Sequence, residues 1–74
     1  MVKRQITKSY VIRIDDKYYL MDNRFEPNAN FTEDITQARH FTYPKANKEI
    51  LKMSKYLKTR HELHRNLELV IHRK

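Results

Sequence analysis

The sequence predicts a small α+β domain, in which one amphipathic helix packs on one face of a small, mostly antiparallel sheet. Two segments, 6–14 and 67–72, alternate apolar and polar side chains as half-buried strands do. Between them, residues 44–57 repeat apolar side chains at helical spacing. The predicted order is β-β-short α-β-α-β within a single domain, residues 1–74, because 74 residues are too few for a second core.

The first two predicted strands form a hairpin. In residues 6–14 every second side chain, counted from the start, is apolar except Lys8, which predicts a strand with one buried face. Asp15 and Asp16 then supply a turn, since aspartate tolerates left-handed backbone angles and hydrogen-bonds its own main chain. The aromatic-rich run 17–21 is predicted to return beside the first strand.

The middle of the chain is predicted to be a loop, a short helix and a short strand. Residues 22–30 contain three asparagines and a proline, a composition typical of an exposed loop. Thr32 stands before two acidic residues, which predicts a helix N-cap and a helix of about Glu33 to Arg39. Residues 40–42 are predicted to form a brief strand.

The main helix is predicted to begin at Pro44, where the missing N–H of proline does no harm. We expect it to end between residues 58 and 61, with continuation to about 65 as the alternative. Residues 67–72 then form the final strand. The apolar side of the helix follows spacings of four, three and four residues and comprises Ala46, Ile50, Met53 and Leu57.

The net charge of +7 is unevenly distributed along the chain. Residues 1–44 hold seven basic and six acidic side chains, whereas residues 45–74 hold nine basic and three acidic ones. The second part therefore carries +6 of the +7. This asymmetry favours an acidic protein surface, a nucleoprotein complex or nucleic acid as partner. A surface that only keeps the chain in solution is the alternative.

Ten side chains are predicted to form the partner-binding or nucleic-acid-binding surface. Most belong to the polar side of the main helix and the segment after it, where a solvated helix face is the alternative reading. The others belong to the hairpin strands, where an exposed aromatic ring beside a basic side chain can stack on an unpaired base. The set comprises Lys45, Lys48, Lys52, Lys55, Lys58, Arg60, Arg65, Arg13, Tyr18 and Tyr19.

Catalytic, cofactor-binding and metal-binding residues are not expected in this chain. The sequence has no glycine, which excludes glycine-rich phosphate loops and nucleophile elbows, and no cysteine, which excludes disulfides and thiolate zinc sites. His61 and His64 flank Glu62 but are three residues apart, whereas helical zinc motifs space their histidines by four. We therefore expect no enzymatic activity and no cofactor.

Composition also predicts where the protein works. Residues 1–5 include two basic side chains but are not followed by the apolar run of a signal peptide, and no stretch approaches the roughly 20 apolar residues of a membrane span. Absence of cysteine fits a reducing compartment. We expect a soluble protein of the bacterial cytoplasm, without membrane association, as a monomer or small homo-oligomer.

Four segments carry a resemblance to small uncharacterised proteins of Firmicutes phages and prophages. They are Tyr10–Leu20, Phe31–Asp34, Ala38–Phe41 and Pro44–Ile50. The resemblance as a whole extends over about residues 6–57. The chain departs from that pattern by lacking a glycine in the hairpin turn. The resemblance implies a mobile-element origin and a host-takeover or anti-defence role, of which CRISPR inhibition is one example.

Three functional hypotheses follow from the sequence. The leading one is a non-enzymatic basic protein of phage or prophage origin that binds a host protein or nucleoprotein machine stoichiometrically, a CRISPR effector being one such machine. The second is a direct DNA- or RNA-binding protein that uses the lysine-rich helix face and the exposed sheet aromatics. The third is a structural subunit that self-associates through the uncovered sheet face.

Overall fold

A computed structural model describes residues 9–62 and 64–73 of the chain. Its main elements are β1 (Tyr10–Ile14), β2 (Tyr18–Leu20), β3 (Phe31–Thr32), α1 (Tyr43–Thr59) and β4 (Leu67–Ile71). The strands form one antiparallel sheet of order β3-β2-β1-β4, and helix α1 packs across β1 and β4. The predicted α+β fold is therefore confirmed, while the predicted start of the first strand at residues 6–8 lies outside the described residues.

The predicted β1–β2 hairpin turns at two aspartates. Asp15 and Asp16 have φ values of 59° and 56°, the left-handed region that Asp and Asn enter more readily than most residues. The Lys17 amide donates to the Ile14 carbonyl at 3.2 Å and closes the turn. Two central residues of positive φ match the right-handed twist of the flanking strands, so the pair performs the role that glycine often has in hairpins.

The third strand lies before the short helix, not after it as predicted. Phe31 and Thr32 form β3 and pair with β2, whereas Phe41 makes only an isolated bridge with Tyr10. Both positions are explained by packing, because Phe31 and Phe41 each place an aromatic ring against the core. A strand of two residues is too short to produce an alternation in the sequence.

The predicted helix at Glu33 to Arg39 is a single 3₁₀ turn, Ile35–Gln37. Its N-cap is Asp34 and not Thr32, because the Asp34 carboxylate accepts hydrogen bonds from the Thr36 amide at 2.9 Å and the Thr36 hydroxyl at 2.7 Å. Thr32 instead accepts from the Asp34 amide at 3.0 Å.

The core lies between α1 and one face of the sheet. α1 ends at Thr59 and His61 follows with a φ of 58°, so the shorter of the two predicted helices is correct. Ile50 of the predicted apolar side is half-buried and packs against the core, and Glu49, which the sequence did not place there, is fully buried. The central cluster comprises Ile12, Ile14, Leu20, Phe41, Ala46, Met53 and Leu57.

The sheet face opposite α1 is less open than the sequence suggests. Val11 lies on that face and is 0% exposed, which corrects the prediction that only one side of β1 is buried. Tyr19 and Val70 on the same face are half-buried. Among residues 9–62 and 64–73, the structure contains no helix with the length and apolarity needed to cross a membrane.

Candidate binding site

The buried carboxylate of Glu49 forms ion pairs with two lysines of the predicted binding surface. The Glu49 side chain is 0% exposed, and its two oxygens accept hydrogen bonds from the Phe25 amide at 2.7 Å and from Lys45 Nζ at 2.9 Å. Lys52 Nζ also lies 2.9 Å from the Glu49 carboxylate. The spacings i−4 and i+3 place both lysines over the same turn of α1. Glu49 therefore ties the loop at Phe25 to the helix, and Lys45 and Lys52 compensate its charge.

The pKa of Glu49 reflects this arrangement. Burial is the largest influence and by itself raises the pKa of the carboxyl. Hydrogen bonds from Lys52, from the Phe25 amide and from Lys45 together outweigh it and lower the pKa from 4.5 to about 2. Glu49 is thus ionised at neutral pH, and its charge is compensated by the two lysines.

The remaining helix lysines face solvent. Lys48, Lys55 and Lys58 are exposed, and none of them lies within 4.0 Å of a carboxylate in the part of the chain that the structure describes. Leu51 lies between Lys48 and Lys55 on the helix surface and is 61% exposed. We call Lys48, Leu51 and Lys55 the outer helix face. It consists of an apolar side chain flanked by two cations that have no ion-pair partner within residues 9–62 and 64–73.

The two predicted arginines beyond α1 take part in ion pairs. Arg60 Nε lies 3.1 Å from the Glu62 carboxylate, and Arg65 donates to Glu62 at 3.1 Å and to Asp15 at 2.7 Å. Hydrogen bonding by Arg65 lowers the pKa of Asp15, and hydrogen bonding by Arg60 and Arg65 lowers that of Glu62. Arg65 therefore ties the chain before β4 to the hairpin turn.

Arg13 and Tyr19 lie side by side on the sheet face opposite α1. The two residues are direct cross-strand partners, and Arg13 forms an ion pair with Glu68 of β4. Hydrogen bonding from Arg13 lowers the pKa of Glu68. Because this guanidinium is already paired, the open sheet face presents less positive charge than the sequence predicts.

Tyr18 lies on the opposite face from Tyr19 and contributes to an aromatic cleft that sequence reasoning missed. The cleft has a volume of about 330 Å³ and opens between the loop after β2 and the C-terminal part of α1. Phe25 and Tyr56 form one wall, with ring centroids 5.6 Å apart. The lining residues are Ile14, Tyr18, Phe25, Pro27, Phe31, Met53, Tyr56, Leu57, Arg60, Glu62 and Arg65.

A histidine pair was also missed because its members are 32 residues apart in sequence. His40 Nε2 lies 3.1 Å from His72 Nδ1, and His40 Nδ1 lies 3.1 Å from the Ala38 carbonyl. A carbonyl can only accept, so Nδ1 of His40 donates to the Ala38 carbonyl. Within residues 9–62 and 64–73, three or more His, Asp or Glu side chains do not converge as metal ligands.

The comparisons with known proteins give no relative for this chain. Protein-family models, curated proteins and solved structures all return no match. Function must therefore be argued from the surfaces described above.

Proposed function

We propose that this protein is a non-enzymatic binding module that attaches to an acidic protein surface through the outer helix face. A single observation carries the proposal: Leu51 is 61% exposed at the centre of α1 and is flanked by Lys48 and Lys55, which have no carboxylate partner among the described residues. Protein interfaces commonly place an apolar anchor at the centre and charges at the rim. A helix that presents such a face fits a groove with apolar and acidic walls.

The same observation favours protein over nucleic acid as the partner. Phosphate recognition needs cations and gains little from an exposed leucine, whereas a protein groove gains free energy by burying that side chain. Lys48 and Lys55 would then contribute to the rate and specificity of association, because rim charges mainly steer encounters. We propose stoichiometric binding of this kind in the bacterial cytoplasm.

A host machine as the partner is the part of the proposal that rests on the sequence resemblance. The segments between Tyr10 and Ile50 resemble proteins of Firmicutes phages and prophages. Proteins of such elements commonly block or redirect a host protein or nucleoprotein complex, including CRISPR effectors. A basic chain of +7 would bind an acidic surface of such a complex, or its nucleic acid.

Direct nucleic-acid binding is the second candidate, and the aromatic cleft favours it. Tyr18, Phe25 and Tyr56 line a space that suits one flat ring system, and Arg60 lies at its rim with its guanidinium 5.6 Å from the Tyr56 ring centroid. Stacking of unpaired bases on aromatic side chains beside a cation is a common mode of single-strand binding. This candidate uses the cleft, whereas the first uses the outer helix face.

Photo-crosslinking in bacterial cells distinguishes the two candidates. A photoreactive amino acid replaces Leu51 in one variant and Tyr56 in another, and Met21, at 36% exposure on the far side of the sheet, is the matched control position. The first proposal expects a discrete protein adduct from position 51 that disappears when K48E and K55E are added. Nuclease-sensitive adducts from position 56 would support the second candidate.

Oligonucleotide titration supplies the quantitative check. Single-stranded and duplex oligonucleotides are titrated at low and moderate salt, since phosphate contacts weaken steeply as salt rises. The first proposal expects the same weak, salt-sensitive binding from wild type and L51A. Loss of position-51 adducts together with micromolar, Tyr56-dependent oligonucleotide binding would overturn it. Equal adducts from positions 51 and 21 would overturn it as well.

A further inference from the structure

β4 is an edge strand of unusual composition. It pairs with β1 on one side, and among residues 9–62 and 64–73 no strand pairs with its other side. Edge strands are commonly protected by lysine, proline or bulges, because their free backbone groups can pair with another chain. β4, with the sequence LELVI, has none of these, and its one charged side chain, Glu68, is occupied by Arg13.

The backbone pattern shows which groups β4 offers to a partner. The Asp15 amide donates to the Asn66 carbonyl at 2.8 Å, and the His72 amide donates to the Ser9 carbonyl at 2.7 Å. Even-numbered residues of this segment therefore point their backbone groups towards β1. By the alternation of an antiparallel ladder, Leu67, Leu69 and Ile71 point theirs away from it.

An antiparallel pair of β4 strands is self-complementary. When Leu69 of one copy lies opposite Leu69 of another, Leu67 lies opposite Ile71 and Glu68 lies opposite Val70. All five residues of β4 are then paired, and no two carboxylates are directly opposite. The pairing also covers Ile71, which is 61% exposed in the single chain.

The position of α1 is compatible with this pairing. Glu49 and Tyr56 turn one flank of α1 towards Phe25, on the β2 and β3 side of the molecule. With about 100° per residue, the opposite flank above β4 carries the uncharged Asn47 and Ser54, and Lys58 in the last turn of the helix. The cations of the outer helix face point away from a second copy placed at this edge.

We infer that β4 is a self-association surface, through which two copies join their sheets into one antiparallel sheet of eight strands about a two-fold axis at Leu69. The two-fold pairing makes the same patch serve both copies, as isologous dimers require. The arrangement leaves Lys48, Leu51 and Lys55 accessible on both copies, so a dimer would present two outer helix faces.

Sedimentation equilibrium from about 10 µM to about 1 mM tests this inference, a range that corresponds to weak or moderate association. Wild type should approach twice the monomer mass of 9.1 kDa as concentration rises. Higher salt should strengthen the association, because each copy carries +7 and salt screens their repulsion. In hydrogen exchange, the Leu67, Leu69 and Ile71 amides should become slower at high concentration.

I71P is the decisive variant, since the Ile71 amide points away from β1 and its loss should leave the β1–β4 ladder intact. The I71P variant should remain monomeric. If proline lowers the stability of the fold, I71K is the second variant, and it should also remain monomeric. M21K is the control, because it places a charge on an exposed apolar side chain far from β4, and it should dimerise like wild type.

Three results would overturn the inference. The first is a wild type that stays monomeric at the highest concentration, which would leave the β4 edge for an extended segment of a different protein. The second is a dimer that persists unchanged in both I71P and I71K. The third is equal loss of association in I71K and M21K, which would indicate a non-specific charge effect.

Discussion

α1 carries two pairs of lysines with the same seven-residue spacing, and the two pairs have opposite surroundings. Lys45 and Lys52 each place Nζ 2.9 Å from the buried Glu49 carboxylate. Lys48 and Lys55 face solvent, and no carboxylate of the described residues is within 4.0 Å of either. Each lysine of the second pair follows one of the first by three residues, or about 300°, so its side chain points about 60° away around the helix axis. That rotation places one pair beside Glu49 and the other in solvent.

The comparison teaches that a basic sequence pattern overstates the charge available to a partner. Lys45 and Lys52 compensate the charge of the buried Glu49 carboxylate, so these two lysines contribute to the stability of the fold. The other pair has no such role within the described structure and is available for binding. Contact with the buried Glu49 carboxylate is what distinguishes the two pairs. Substitutions at Glu49 should therefore have the largest effects on the free energy of unfolding.

Glu49→Ala should lower the free energy of unfolding by about 3 kcal/mol, because it removes the charge-assisted hydrogen bonds of a buried carboxylate and leaves a backbone amide without an acceptor. The Phe25 amide loses its acceptor, and Lys45 and Lys52 lose their counter-charge. Urea denaturation followed by circular dichroism measures the change. Glu49→Gln should cost less, because the amide oxygen can still accept from Phe25.

The outcome that would contradict this prediction is equal stability of wild type and Glu49→Ala. Equal losses in the Ala and Gln variants would instead assign the whole effect to charge and none to the Phe25 hydrogen bond. Lys48→Ala serves as the control for a helix substitution outside the buried pair, and it should change stability by less than about 0.5 kcal/mol.

Acid should weaken the Lys45–Glu49–Lys52 arrangement. The pKa of Glu49 is lowered from 4.5 to about 2 in the folded chain, so its ionised form stabilises the fold above pH 4.5. That stability is lost as the pH falls through about 2. The difference between 4.5 and about 2 corresponds to about 3 kcal/mol.

Urea denaturation of wild type and Glu49→Gln across this pH range isolates the contribution of Glu49. Other carboxylates titrate in both proteins, so their effects cancel in the difference. The stability gap between the two should be full near neutral pH and should shrink steadily below pH 4.5. A gap that does not depend on pH would show that the charge of Glu49 does not stabilise the fold.

The two lysine pairs can be compared directly by double substitution. K45A/K52A should lower the free energy of unfolding by about 2 kcal/mol, since Glu49 loses two hydrogen bonds from charged groups, while truncation of the two half-exposed lysines lets water reach its carboxylate. K48A/K55A should change it by less than about 0.5 kcal/mol. Both variants remove the same charge from the same helix, so a thermal or urea melt of the two compares position alone. Equal losses would contradict the division between them.

The sequence predicted the sheet, the hairpin turn and the main helix because each has a periodic or local signal. Tyr10, Ile12 and Ile14 recur at every second position, Asp15 and Asp16 have turn chemistry, and α1 repeats apolar residues at helical spacing. β3 could not be predicted in this way. Two residues do not establish a period, and Phe31 becomes a strand residue only through its pairing with Leu20.

The binding surface was harder to predict for a different reason. Glu49 reads as an interruption in a row of lysines, and only tertiary contact with the Phe25 amide shows that it is buried. Arg65 and Asp15 are 50 residues apart, so their ion pair has no local signature. A glutamate with lysines at i−4 and i+3, next to an apolar helix side, is the one signal that could have indicated the buried pair.

Glu49→Gln should also release Lys45 and Lys52, which would enlarge the cationic surface of α1. Glu33→Gln is a matched control, since it too removes one negative charge, from an exposed pair with Lys17 at 3.4 Å. Both variants have the same net charge, yet Glu49→Gln frees two lysines beside Lys48 and Lys55. On a cation-exchange column we expect wild type to elute first, Glu33→Gln second and Glu49→Gln last. Co-elution of the two variants would mean that Lys45 and Lys52 already contact anions in the wild type, and the contrast between the lysine pairs would then be one of stability alone.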